Sequence, residues 1–369
     1  MDPRAYWIGF NKIRGIGSVR TQKLLNYFGN LETAWLASPD DLKNAGMNQT
    51  IIASIIQTRA EIDLQSELER IESLHINCMT ITDQAYPRRL KDIEHPPPVL
   101  FIKGEICEAD EYAIAVVGTR HKTAYGKQVA TELSQFLAGN GITIVSGLAR
   151  GIDSIAHEAA LDAGGRTLAV MGCGVDIIYP PEHRDLACRI QENGALISDY
   201  YPGTLPEGIN FPPRNRIISG LSMATVVVEA GEKSGALITA EFSANQGREV
   251  FSVPGPIFAP HSKGTNRLIR DGAIPLNDFK DILMVLDVDQ ISEIRYAKKI
   301  LPENEIESLL YATMKKDAMH INDIKTTTGL TMEKVSATLV MMELKGLVKQ
   351  VGNMVYISIA EENKTYEVE

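Results

Sequence analysis

The sequence predicts an α/β protein, an extended Rossmann-like, doubly wound and mostly parallel sheet carrying one small module at each end. Three observations predict it. Between residues 76 and 287 short apolar runs alternate with segments of helical periodicity, the pattern of strand–helix–strand crossovers. One run, Ala224–Ala230, is continuous and rich in β-branched residues, as in a strand buried on both faces. Glycine-containing loops follow several of the strands, so they gather at the carboxyl edge of the sheet, where ligands of such folds bind.

The elements follow in chain order. Residues 1–75 read as a helical domain. Within it, Ile13-Arg14-Gly15-Ile16-Gly17-Ser18-Val19 has the spacing of a helix-hairpin-helix (SAM-like) unit, whose glycine turn aims backbone N–H groups at a phosphate. A plain packing turn between helices explains the same residues equally well. A weaker echo follows at Leu42–Met47. Residues 76–287 form the core. Strands are expected at Ile76–Thr82, Val99–Lys103, Tyr112–Val117, Ile142–Ser146, Thr167–Met171, Ala195–Ser198, Ala224–Glu229 and Glu249–Val253, with helices notably at Tyr125–Ala138 and Ser154–Ala163. Pro96-Pro97-Pro98 stiffens the approach to the second strand. A charged linker, 288–300, leads to residues 301–360. There, helices at Glu303–Met314, Ile321–Thr327 and Met332–Lys345 precede a hairpin of Leu347–Val351 and Met354–Ile359, turning at Gly352-Asn353. Three helices and a terminal hairpin read as a winged helix. Its third helix holds only Lys334 and Lys345 as cations, which favours protein contact over DNA recognition there. Residues 361–369 form an acidic tail.

Composition narrows the function. The 369 residues carry a net charge of −10, so any nucleic-acid binding has to use a local basic patch. No apolar run approaches a membrane span and there is no signal-peptide pattern, which points to a cytoplasmic chain without membrane contact. Cys78, Cys107, Cys173 and Cys188 are scattered with no CxxC pair, as expected of reduced thiols rather than a zinc site.

The richest stretch is Phe211–Ala240. Arg214, Asn215 and Arg216 precede a short apolar run. The buried strand then ends in Glu229-Ala230-Gly231, and a small loop through Ser234 and Gly235 opens a helix. A strand, a Gly/Ser loop and a helix start make an anion site, because the first N–H groups of a helix are unpaired and partly positive. Gly118-Thr119-Arg120, Ser146–Asp153, Met171-Gly172-Cys173-Gly174 and Lys263-Gly264 add glycines and cations, the first three on the same sheet edge. Enzyme fingerprints fail: Gly172-x-Gly174 lacks the third glycine of GxGxxG, Gly126-Lys127 is followed by Gln128, and there is no GxSxG elbow. Asp153, Asp176 and Glu229 are possible acid/base groups, but with no nucleophile or metal set beside them they read better as loop-orienting carboxylates, caps or arginine partners.

Seven motifs carry a resemblance. VVGTR (Val116–Arg120), SGLARGID (Ser146–Asp153), AVMGCGVDIIYP (Ala169–Pro180), FPPRNRIISGLS (Phe211–Ser222), VVVEAGEKSGALITA (Val226–Ala240), GREVFSVPG (Gly247–Gly255) and GTNRLIRDGA (Gly264–Ala273) together resemble the DNA-processing protein A family, also called Smf. The resemblance implies a non-enzymatic, cofactor-free protein. It would bind and protect single-stranded DNA, help load a RecA-type recombinase, notably in natural transformation, and form a homodimer through its core. Carried across, the DNA-facing positions are Gly118, Thr119, Arg120, Ser146, Gly147, Phe211, Arg214, Asn215, Arg216, Ser234 and Gly235, with Lys263 or Lys122 as a compensating cation. One departure stands out: where many relatives place a basic residue, this chain has Glu207-Gly208-Ile209-Asn210. The alternative is a nucleotide-processing Rossmann enzyme resembling nucleoside-monophosphate phosphoribohydrolases, with Glu229 beside the phosphate loop as its reactive carboxylate.

Overall fold

The computed structural model describes residues 2–286, 305–314, 318–344, 347–352 and 354–358. It divides into two compact units, Met1–Leu286 and Asp287–Glu369. The expected linker at 288–300 and acidic tail at 361–369 lie outside the described residues.

The first unit opens with six helices: α1 (Arg4–Asn11), α2 (Ser18–Phe28), α3 (Leu31–Leu36), α4 (Pro39–Asn44), α5 (Gln49–Glu61) and α6 (Leu64–Ser73). Short polar residues set the starts of the last four. Asn30, Ser38, Asn48 and Asp63 each accept a backbone N–H from the first turn that follows them. The Gly15–Gly17 turn joins α1 to α2, with Gly15 at φ +93°, a conformation that side chains resist. Phe10, Leu24, Trp35, Leu42 and Ile55 fill the helical core, and that core runs on into Val99 and Phe101 of the sheet. The helices therefore pack on the sheet as part of the same unit.

The sheet has nine strands: β1 (Asn77–Thr80), β2 (Val99–Gly104), β3 (Ala113–Val117), β4 (Thr143–Ser146), β5 (Thr167–Val170), β6 (Gly194–Ser198), β7 (Ala224–Val227), β8 (Glu249–Ser252) and β9 (Ile274–Pro275). The order is β1-β2-β6-β5-β4-β3-β7-β8-β9. All neighbours from β6 to β9 pair in parallel, and β2 pairs antiparallel with both β1 and β6. The intervening helices are α7 (Arg88–Lys91), α8 (Ala124–Gly139), α9 (Ile152–Asp162), α10 (Arg184–Glu192), α11 (Phe211–Leu221), α12 (Gly235–Asn245), α13 (Lys263–Arg270) and α14 (Lys280–Val285).

Both faces of the sheet are covered, which is why its strands read as unbroken apolar runs. In β5, Leu168 and Val170 pack in the layer containing Ile217 and Ala240 of α11 and α12, while Ala169 packs in the layer containing Leu161 and Leu186 of α9 and α10. The chain walks from β3 out to β6, then returns to place β7 on the other side of β3. That reversal is a topological switch point, and it opens a crevice at the carboxyl ends of β3 and β7.

One local expectation needs correction. Phe211–Leu221, in which the sequence shows only three polar residues before a short apolar run, is one continuous helix. Pro212 and Pro213 hide it in the sequence. They sit in its first turn, where a missing N–H costs nothing because those N–H groups have no partner in the helix.

The second unit contains α15 (Glu305–Thr313), β10 (Met319–His320), α16 (Ile321–Thr328), α17 (Met332–Leu344), β11 (Val348–Gly352) and β12 (Val355–Ser358). Leu310, Met314, Ile324, Val335, Leu339 and Met342 form its core. The hairpin gains a third, two-residue strand: β10 pairs with β12, giving the order β10-β12-β11. This is a winged helix. Asn353 of the expected turn lies outside the described residues.

Candidate nucleic-acid interface

A cleft of about 600 Å³ opens at the switch point. Its walls are Gly118–Arg120 after β3, Ala149 before α9 and Asp153 in its first turn, Phe211, Pro212, Arg214 and Asn215 on α11, and Gly231 with Lys233–Ala236 at the start of α12. Its charged lining is Arg120, Arg214, Lys233 and a single carboxylate, Asp153, together with His261. A chain of net charge −10 thus has a cleft with the opposite balance.

The α12 side is a helix N-terminus presented to the cleft. Ser234 caps the helix by accepting the Ala236 N–H at 3.3 Å. Gly235 is exposed, and nothing lies within 4 Å of where its Cβ would be, so a ligand can reach this backbone. The Asn215 amide donates to the Gly235 carbonyl at 3.4 Å, tying α11 to that turn. Across the cleft, the Thr119 N–H donates to the Glu229 carbonyl at 2.8 Å, and the Thr119 carbonyl accepts the Ile152 N–H at 3.2 Å. Gly118 is required by packing, because a Cβ there would meet Ile152 at 2.5 Å. Arg120 is exposed and has no ion-pair partner among the described residues, so its guanidinium is available.

Phe211 is half-buried and seated on Gly172, whose missing Cβ would lie 2.8 Å from the ring. The Arg214 guanidinium stands 5.7 Å from the ring centroid.

Arg214 and Arg120 look alike in the sequence but differ in the fold. Arg214 is 4% exposed. Its Nη1 donates to the Gly147 carbonyl at 2.9 Å and also to the Val170 carbonyl, so it bridges the ends of β4 and β5. Burial pushes its pKa down, against the favourable charge of Asp153. Asp153 is also buried, and desolvation raises its pKa against the pull of Arg214. The Asp153 carboxylate accepts the Gly147 N–H at 3.1 Å. Gly147 has no room for a side chain, since a Cβ would lie 2.2 Å from Arg214 Nη1. Ser146 is fully buried, its hydroxyl donating to the Val116 carbonyl at 2.6 Å. Ser146, Gly147 and Arg214 therefore build the floor rather than the open surface.

Beyond the floor, Leu148 adopts φ +54°, unusual for a leucine. Two histidines hold it: His157 Nε2 accepts the Leu148 N–H at 3.4 Å, and the His183 ring lies 2.9 Å from the Leu148 carbonyl. His157 is wholly buried, and desolvation drives its pKa down to about 3, which keeps the ring neutral.

Two expected contacts lie off the cleft. Arg216 pairs with Asp199 at 2.6 Å, and Lys263 pairs with Glu232 at 3.4 Å. Lys233 and His261 line the cleft and are absent from the expected set. Lys233 was legible as a cation one residue before a capping serine; His261 had no signal, because only the loop before α13 brings it over.

The three carboxylates have structural partners. Glu229 is buried, and its oxygens accept the Thr123 N–H at 3.1 Å and the Thr123 hydroxyl at 2.5 Å. That places it behind the start of α8, outside the cleft lining. Asp176 accepts the Gly203 N–H at 2.8 Å. Among the described residues no group of His, Cys, Asp and Glu is arranged to hold a metal.

Comparison with known proteins identifies the family and the fold. Residues 77–287 match the family model described as DNA recombination-mediator protein A, and residues 298–354 match the DprA winged helix domain. The chain is 34% identical to Protein Smf of Synechocystis over 390 residues, covering 96% of this chain and 98% of that one. The X-ray structure of DNA processing protein A from Streptococcus pneumoniae superposes with a TM-score of 0.68 at 34% identity, covering 76% of this chain and 97% of that one. A structure from Helicobacter pylori superposes with a TM-score of 0.53 at 31% identity, covering 58% and 98%. The Helicobacter pylori structure concerns the single-stranded DNA binding mode of that organism's DNA processing protein A.

Proposed function

We infer that this chain, which belongs to the DNA recombination-mediator protein A family, binds single-stranded DNA in the switch-point cleft and helps load a RecA-type recombinase onto it. The observation that carries the reading is the cleft itself: exposed Arg120 and Lys233, an open helix N-terminus and Phe211 line one cleft in an otherwise acidic chain. Arg120, Lys233 and the backbone N–H groups of Gly118 and Gly235 take phosphates; Thr119 and Ser234, whose own N–H groups are spent on the Glu229 and Gly231 carbonyls, hold the two turns in shape, and Asn215 orients the second of them. Phe211 offers a face to any base, which makes binding tolerant of sequence. Ser146, Gly147 and Arg214 act from below, by holding the loops.

On this reading the work is done in the cytoplasm, during uptake of foreign DNA by natural transformation. A homodimer through the sheet-bearing unit lengthens the footprint and raises avidity. The protein performs no catalysis of its own. The nucleotide-hydrolase alternative places its reactive carboxylate at Glu229, which is instead spent on Thr123 outside the cleft lining, while Asp153, the carboxylate that does line the cleft, is buried and holds the Gly147 N–H beside Arg214.

The test is fluorescence anisotropy of labelled oligo-dT with excess unlabelled duplex as competitor, beside an assay for base released from nucleotides. Binding that survives the duplex, with no release, supports the reading. Base release that disappears with Glu229→Gln overturns it.

A further inference from the structure

Resting on the single-strand reading above, we propose that the strand leaves the cleft over a second base platform, Tyr179, and that Arg150 beside it takes the next phosphate. Tyr179 stands on the loop after β5, at the same sheet edge, and is 37% exposed. Its ring centroid lies 5.6 Å from that of Phe211, with the planes inclined at 50°. Phe211 lines the cleft and Tyr179 does not, so the pair points outward from it.

The tilt is informative. Rings at this angle cannot stack on one another, so each has a face to offer a separate base. Bases resting on the two rings follow planes inclined at 50°, so they cannot lie parallel to one another. Successive bases on Phe211 and Tyr179 are therefore unstacked from each other. A single strand reaches that state easily, whereas a duplex has to give up pairing and stacking first. The pair is thus a strandedness filter, independent of the cleft's charge.

Arg150 supplies the charge. It lies beside the Tyr179 hydroxyl and pairs with Glu182 at 2.5 Å, with both side chains about half exposed. An ion pair this exposed contributes little to stability, so a phosphate can replace Glu182 at small cost. Glu182 then acts as a competitor for the site.

The experiment compares a short oligo-dT of about four nucleotides with one of about twenty, by anisotropy at low salt, each with and without duplex competitor. Losing one base platform costs about 5- to 150-fold in affinity. Tyr179→Ala is expected to shrink the gain from the short to the long oligo by that factor and to let duplex compete better. Tyr179→Phe, which keeps the ring, restores both, and Glu182→Gln tightens the long oligo. A Tyr179→Ala protein with the wild-type length gain and the wild-type preference over duplex overturns the proposal, as does equal weakening of both oligos. Failure of the wild type to bind either oligo is a separate result, and it overturns the single-strand reading as well.

Discussion

Replacing Arg214 with alanine should destabilise the sheet-bearing unit, whereas replacing Arg120 should leave its stability unchanged. The reasoning starts from burial. Arg214 is 4% exposed, and its Nη1 serves the Gly147 and Val170 carbonyls together. Removing the guanidinium strands two buried acceptors, at about 1–3 kcal/mol each. It also leaves the buried Asp153 without the cation whose charge opposes its desolvation, the situation in which breaking a buried charge pair costs about 3–5 kcal/mol. These terms overlap, so about 3–5 kcal/mol is the expected total. At about 2–4 °C per kcal/mol for a unit of this size, Tm falls by roughly 6–20 °C. Arg120→Ala removes an exposed side chain and should stay within about 0.5 kcal/mol. Urea titration and thermal melting of both variants measure this. The two should then lose DNA binding for different reasons, Arg214→Ala by loosening the loops and Arg120→Ala by losing a phosphate contact. An Arg214→Ala protein that melts within about 1 °C of wild type would refute the assignment of Arg214 to the floor.

Other expectations follow from the same geometry. Gly147→Ala places a Cβ 2.2 Å from Arg214 Nη1, so it should cost about 1–3 kcal/mol in denaturant titration even though only a methyl is added. His157 has a folded pKa near 3 against an ordinary value of 6.5. Its contribution is therefore intact above about pH 6.5 and drains away as the pH falls toward 3, by up to about 1.4 kcal/mol per pH unit. His157→Gln should flatten that part of the stability profile, and an unchanged slope would contradict the buried neutral ring. Thr123→Ala removes both the cap of α8 and a donor to buried Glu229, so a loss of about 1–3 kcal/mol in the same titration is expected. Lys233→Ala should weaken oligo-dT binding in anisotropy without shifting Tm.

The sheet was legible because its strands are buried on both faces. Runs such as Ala224–Val227 carry no solvent-facing alternation to confuse the reading. The strand ends were legible too, since glycines follow β3, β4 and β5, and that located the cleft. The two-residue β9 and β10 escaped because they are too short to show a period. Helix α11 escaped because two prolines imitate a break. Within the site, pattern alone could not separate three arginines spread over Arg120, Arg214 and Arg216. Their roles are set by depth: one exposed at the rim, one buried under Gly147, and one turned to Asp199. Glu229 shows the same limit. It follows the strand at the place where a reactive carboxylate would stand, yet the close approach of Gly126 and Thr123 draws it behind the cleft.

The most direct test of the central claim is the salt dependence of oligo-dT binding, wild type against Arg120→Ala. Each phosphate neutralised on a single strand contributes about −0.7 to the slope of log K against log salt. If the cleft binds the backbone of single-stranded DNA, the wild type should show a slope of several such steps, and Arg120→Ala should lower its magnitude by about 0.7. A folded Arg120→Ala protein with the wild-type slope and affinity would mean that the strand does not pass through this cleft.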